Sequence, residues 1–244
     1  MTFDELKALD HAHTLQTYGR FDVDVDHGQG ATLWDLAGRT YIDFTSGIGV
    51  CSVGYGNEKW ARAIYDQALT LGHISNLFYS QPYARLAGAL CARSGMAAAF
   101  FGNSGAEANE GLLKLARKYS FDKYGKGRST IVGLENSFHG RTLTTLSATG
   151  QDVFHQYFFP FTEGFSFAKA GDLDSLKDKL DGSVCAVLLE CVQGEGGVVA
   201  LDKAYVQAVQ ALCRERDVLL LVDEVQTGAG RTGTFLACEQ LGLQ

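Results

Sequence analysis

A chain of 244 residues is long enough for one substantial core and a small second domain. Its 46% hydrophobic and 20% charged residues are those of a globular protein. A formal net charge of -7, with no block of lysines or arginines, argues against nucleic acid and an anionic membrane surface as partners.

The N-terminus, Met1 to Leu6, has neither the basic start nor the apolar stretch of a signal peptide. The longest apolar runs, 186–189 and 218–222, are too short to span a bilayer and read as buried strands, so a cytoplasmic protein is expected. The cysteines at 51, 91, 185, 191, 213 and 238 are scattered, without a Cys-x-x-Cys pair or histidines at ligand spacing. Reduced thiols and no metal site follow from that pattern.

Phe21 to Asp26 alternates apolar and acidic residues, as a half-exposed strand does. Strands at Thr32 to Leu36 and Thr40 to Phe44 flank a turn at Ala37-Gly38-Arg39, giving a small antiparallel element. Residues 1–55 thus read as part of a small domain, and 56–244 as a larger one. Helices are expected at 57–71 and 83–93, the second opened by Ser80 and Pro82. A strand at 97–101 should run into a helix from Ser104 to Tyr124, whose apolar face would be Ala108, Leu112, Leu115 and Tyr119. A strand at 129–134 follows, then a strand at 184–190, a helix at 203–215 with Val206, Val209 and Leu212 aligned, and a strand at 218–222. Strands alternating with helices imply an α/β fold, a mainly parallel sheet with helices on both faces.

In such sheets ligands bind beyond the carboxyl ends of the strands, where four groups of residues fall. Gly102-Asn103-Ser104-Gly105-Ala106-Glu107 opens a long helix; its unpaired amides suit a phosphate, while Ser104-x-x-Glu107 also suits a plain capping box. Asn136-Ser137-Phe138-His139-Gly140-Arg141 offers an aromatic face and a guanidinium, for a flat ring and a carboxylate, or else a core aromatic beside a surface arginine. Glu190-Cys191-Val192-Gln193-Gly194-Glu195-Gly196-Gly197 places two carboxylates after a buried strand, either functional or a turn with a solvated Glu195. Asp223-Glu224-Val225-Gln226 ends a fully apolar strand in a carboxylate, which needs a cationic or hydrogen-bonding partner such as a pyridinium, a metal or an arginine.

The order of these groups resembles that of the class III aminotransferases of fold type I, with the closest likeness to members acting on acetylornithine. The likeness covers nearly the whole chain. It includes Gly28-x-Gly30, Leu33-Trp34-Asp35, Gly38, His73-Ile74-Ser75-Asn76, and Asn103 to Glu110. It continues through Ser137 to Arg141, Gln193 to Gly197, and Asp223-Glu224-Val225-Gln226-x-Gly228-x-Gly230-Arg231-Thr232-Gly233.

The resemblance implies pyridoxal 5′-phosphate as cofactor. Ser104, Gly105 and Ala106 would hold its phosphate, and Phe138 would stack on its ring. Asp223 would pair with the ring nitrogen and strengthen the electron sink, and Gln226 would bond the phenolic oxygen. Arg141 would take the substrate carboxylate, Glu195 would be a switch releasing a second arginine for the dicarboxylate, and Tyr18 would line the substrate entrance. The expected reaction is amino transfer from N-acetylornithine to 2-oxoglutarate, giving glutamate, in arginine biosynthesis, by a homodimer. The small residues Gly47-Ile48-Gly49 favour acetylornithine; ornithine, succinylornithine and 4-aminobutyrate stay open as donors.

Two departures from the family pattern, Gly54-Tyr55-Gly56-Asn57 and Cys191 after Glu190, concern turns rather than chemistry. A third concerns the Schiff-base lysine, which the resemblance places about 29 residues after Asp223, beyond Gln244, whereas the last lysine here is Lys203. The sheet is therefore expected to be incomplete at the C-terminus. The competing reading is a non-catalytic fragment that binds cofactor weakly. A dinucleotide-binding dehydrogenase is disfavoured, because the turn after 97–101 lacks Gly-x-Gly-x-x-Gly.

Overall fold

A computed structural model describes residues 1–243, which form two compact units, one of Met1–Ser80 and one that starts at Gln81. In the first unit, α1 (Phe3–His13) opens on a capping box in which the Thr2 side chain accepts the Glu5 N–H and Glu5 accepts the Thr2 N–H. A three-stranded antiparallel sheet follows: β1 (His27–Gln29), β2 (Thr32–Trp34) and β3 (Thr40–Ile42). The turn between β2 and β3 is organised by buried Asp35, whose carboxylate accepts the N–H groups of Ala37 and Arg39 and the Tyr41 hydroxyl. Then come α2 (Ser46–Gly49), a short turn in which Gly47 and Ile48 take positive φ, and α3 (Glu58–Leu71), capped by Asn57. The alternating stretch 21–26 is not a strand: Asp24 is buried and Val23 is exposed, the reverse of its hydrophobic pattern. Strand pairing there starts later, at His27.

The second unit opens with α4 (Gln81–Ser94) and α5 (Gly105–Tyr124). Between them, 97–101 joins no ladder among the described residues, contrary to expectation. Its composition suits a strand, but among the described residues no strand is hydrogen-bonded to it. After α5 the chain runs through β4 (Thr130–Leu134), α6 (Leu143–Ala148), a 3-10 turn at Asp152–Phe154, β5 (Phe165–Ala168), α7 (Leu173–Lys179) and β6 (Val184–Glu190). A two-residue hairpin pair, β7 (Val192–Gln193) and β8 (Val199–Ala200), precedes α8 (Lys203–Glu215), β9 (Leu219–Asp223) and the short α9 (Cys238–Leu241).

The main sheet is parallel throughout, in the order β5-β4-β6-β9. Its apolar residues split by parity between two cores. Val132, Leu134, Val187 and Leu189 pack with Leu176 of α7 and Val206, Val209 and Leu212 of α8. Ile131, Ala186, Leu188 and Leu221 pack with Leu113 and Ala116 of α5 and Ala148 of α6. Both faces of β6 are thus covered, which explains why 184–189 reads as an unbroken apolar run rather than an alternating one.

The buried face of α5 differs from the one expected. It is Asn109, Leu113, Ala116 and Ser120; Leu115 is 66% and Tyr119 46% exposed. The polar ends of this stripe have partners. Ser120 Oγ donates to the Arg128 carbonyl, and Asn109 reaches into the site described next.

Candidate functional site

Strands β4, β6 and β9 end together, and the loops that leave β4 and β9 meet the first turn of α5. The apolar strand β9 ends in Asp223, only 6% exposed. A buried carboxylate must be met by donors, and three converge here. Asn109 Nδ2 and His139 Nδ1 each lie 2.8 Å from Oδ2, and the Val225 N–H donates to Oδ1 at 2.9 Å. Burial raises this carboxyl, but the His139 hydrogen bond and charge, the Val225 N–H and the Asn109 amide outweigh it and hold it below the usual carboxylate range. An ionised carboxylate offers about four acceptor positions, so three donors leave room for one more. His139 is itself buried, and its Nε2 has no partner among the described residues.

Asn109 does a second job: the same amide donates to the His139 carbonyl at 2.8 Å, fixing the loop that follows β4 to α5. The fit is close. A Cβ on Gly140, which has φ +132°, would lie 2.8 Å from Ala106 Cβ and 2.6 Å from Thr145 Oγ1. Phe138, half-buried on that loop, has its ring edge-on to Phe154, with centroids 5.7 Å apart. The Arg141 guanidinium lies 5.8 Å from the Phe138 centroid and 5.7 Å from that of Phe154.

At the α5 N-terminus both readings of Ser104 hold. Its Oγ accepts the Glu107 N–H at 3.1 Å, so it caps the helix. The reciprocal half of a capping box is missing, since Glu107 accepts from Asn103 rather than from Ser104. The Ala108 N–H bonds the Ser104 carbonyl, while those of Gly105 and Ala106 donate to no protein acceptor among the described residues. Two unpaired amides at the positive end of a 20-residue helix, beside a hydroxyl that can still donate, suit a phosphate. Gly105 also lies against the loop after β9, where a Cβ would come within 2.7 Å of Val225 Cγ1.

The turn after β6 closes the group. Glu190 is buried and accepts the Phe138 N–H at 3.0 Å. Burial pushes its carboxyl up to about 7, against the lowering effect of the Phe138 N–H and the His139 charge, with Asp223 adding to the rise. Gln193 Nε2 donates to the Glu135 carbonyl, and Gln226 packs so tightly on Gly194 that a Cβ there would fall 2.0 Å from its Oε1. Glu195 is exposed in that turn and forms no ion pair among the described residues.

Of the residues expected from the sequence, Ser104, Gly105, Ala106, Phe138, Arg141, Glu195, Asp223 and Gln226 all lie on this set of loops. Tyr18 belongs to the first unit, where it is 64% exposed. Four further residues, Asn109, His139, Val225 and Phe154, received no role from the sequence. Asn109 left a signal, a polar side chain in register with Leu113 and Ala116 on a buried stripe.

The donor set suits a flat, protonatable ring bearing a phosphate. Among the described residues no group of histidine, cysteine or acidic side chains is arranged to hold a metal, and no helix is long and apolar enough to cross a membrane.

Comparison with known proteins agrees with this geometry. The family profile described as aminotransferase class-III matches residues 15–244. An acetylornithine aminotransferase of Haemophilus ducreyi is 56% identical over 245 residues, taking in all of this chain and 62% of its own length. An ornithine aminotransferase of Toxoplasma gondii, described with partial occupancy of PLP at its active site, superposes with a TM-score of 0.95 at 32% identity, over 99% of this chain and 57% of that one. An N-acetylornithine aminotransferase of Stenotrophomonas maltophilia superposes with a TM-score of 0.79 at 36% identity, over 97% and 58% respectively. The chain therefore spans about three-fifths of the length of the relatives it matches.

Proposed function

Because this chain belongs to the class-III aminotransferases, a family dependent on pyridoxal 5′-phosphate, we propose that it forms the cofactor cradle of an enzyme moving an amino group from N-acetylornithine to 2-oxoglutarate. The observation that carries this reading is Asp223, a buried, ionised carboxylate ending an apolar strand with one acceptor position to spare.

When bound, the cofactor supplies an electron sink for the substrate carbanion. Asp223 would accept a hydrogen bond from the ring nitrogen and keep a proton there. Its own geometry is set by Asn109 and His139, so it need not reorganise as charge develops. Gly105 and Ala106 would give their amides to the phosphate, with the Ser104 hydroxyl beside them. Phe138 would stack on the ring, and Gln226 would bond the phenolic oxygen. Arg141, steadied by Phe138 and Phe154, takes the substrate carboxylate. Glu195 is exposed and so able to pair with an arginine in one half-reaction and release it in the other. Tyr18 lines the substrate entrance. Residues 1–55 belong to the small domain and 56–244 to the cofactor-binding domain of a cytoplasmic homodimer acting in arginine biosynthesis.

The backbone is shared with enzymes of both names, acetylornithine and ornithine aminotransferase, so donor choice rests on side chains. The 56% identity to an acetylornithine enzyme and the small residues Gly47-Ile48-Gly49 support the acylated donor. Lys203, the last lysine in the sequence, lies in α8 ahead of Asp223, so the property expected of these residues by themselves is non-covalent cofactor binding.

The test is glutamate formation by a polypeptide spanning the relatives' full length, with N-acetylornithine, ornithine, succinylornithine or 4-aminobutyrate as donor. N-acetylornithine should have the highest kcat/KM, and Asp223→Asn should lower kcat about a hundredfold or more. A higher kcat/KM for another donor overturns the substrate; an unaffected Asp223→Asn enzyme overturns the cradle.

A further inference from the structure

Parallel strands β6 and β9 run in register to their last residues, so Glu190 and Asp223 are paired across the ladder. Neighbouring strands lie about 4.8 Å apart, and the two carboxyl-bearing residues therefore stand side by side at the sheet edge. Asp223 has an assigned partner in the ring nitrogen. Glu190 turns instead to the backbone: its carboxyl accepts the Phe138 N–H at 3.0 Å. Phe138 thus connects to Asp223 through one hydrogen bond and one strand spacing.

We propose that Glu190 is a positioning residue for the cofactor ring, holding Phe138 at a set place relative to Asp223 and tying the loop after β4 to the acidic glycine turn. The inference rests on the reading that Phe138 stacks on the ring. Burial is consistent with it. Glu190 is 4% exposed, and its carboxyl is pushed up to about 7, so near neutrality much of it is a neutral acid. A neutral carboxyl still accepts through its carbonyl oxygen and has the shape of a primary amide. Acceptance of the Phe138 N–H therefore does not depend on charge, and glutamine should replace it.

The probe is pyridoxamine 5′-phosphate, which binds without a covalent link, titrated into the chain by fluorescence and by induced circular dichroism of its ring band. Glu190→Gln should stay within about twofold of the native affinity, while Glu190→Leu should bind about tenfold more weakly with a reduced dichroic band. Phe138→Leu should also weaken binding. In the double variant the loss should match Phe138→Leu alone, because Glu190 acts through that ring. Multiplying losses, or native affinity in Glu190→Leu, overturns the inference while leaving the stacking role of Phe138 intact. Native affinity in Phe138→Leu overturns the stacking role and this inference with it. Should Glu190→Leu fail to fold, hydrogen exchange of the Phe138 amide in the unaltered chain decides the question. Strong protection supports the bond to Glu190, and rapid exchange overturns it.

Discussion

Two carboxyl groups on adjacent strand ends have opposite fates: Asp223 is held below the usual carboxylate range and Glu190 is pushed up to about 7. Asp223 receives two side-chain donors and an amide, enough to offset burial; Glu190 receives the Phe138 N–H and no side-chain donor among the described residues, and has an anionic neighbour. The consequence for stability has a definite sign. Between pH 4.5 and about 7 native Glu190 keeps a proton that the unfolded chain has released, so stability falls as pH rises through that window. At about 1.4 kcal/mol per pH unit the loss approaches about 3 kcal/mol above pH 7. Glu190→Gln should therefore match the native chain near pH 4.5 and exceed it by about 2–3 kcal/mol at pH 8. Urea unfolding across that range measures the difference, and a gap independent of pH would contradict a buried neutral acid.

Asp223 stood out in the sequence because an acid directly after five apolar residues has no cheap structural explanation. The motif order pointed to Phe138, Gln226 and Arg141, which lie on the loops around Asp223. Asn109 and His139 were not legible, because their roles come from meeting Asp223 across 114 and 84 residues of chain, a contact no local pattern encodes.

At the level of elements, the ends and types of α3, α5, α8, β4 and β6 follow their capping residues and apolar runs closely. The orientation of α5 does not follow from hydrophobicity. Leu115 and Tyr119 outweigh Ala116 and Ser120 on any apolar scale, yet the smaller and more polar pair faces the sheet, with Leu112 at the border of the two faces. Small residues admit close approach, and the polar Asn109 and Ser120 have buried partners to satisfy. Substitution separates the two faces. Leu113→Ala should cost about 2–5 kcal/mol, and Leu115→Ala no more than about 0.5 kcal/mol, in chemical denaturation. Equal costs would restore the face expected from the sequence. The unpaired 97–101 stretch is a different kind of miss. Its composition suits a strand, but a strand exists only where a neighbour accepts its hydrogen bonds.

On the scale of the whole molecule, every hydrogen bond that shapes the cradle lies within the second unit. So do both apolar cores of the parallel sheet. A polypeptide of residues 81–244 should accordingly fold and bind pyridoxamine 5′-phosphate within about threefold of the full chain, since no donor to Asp223 is lost. A much weaker affinity would mean that residues 1–80 help to build the site.

The register between β6 and β9 makes the sheet a measuring device. Removing or adding one residue in either strand would shift its terminal carboxyl by about 3.3 Å along the strand and turn it to the opposite face. Asp223 would then lose Asn109 and His139, or Glu190 would lose Phe138. The turn at 181–183, at the far end of β6, is under no such constraint and can absorb insertions. In descendants of this sequence, 184–190 and 219–223 should therefore both keep their lengths, as the two rules of a vernier must keep their divisions.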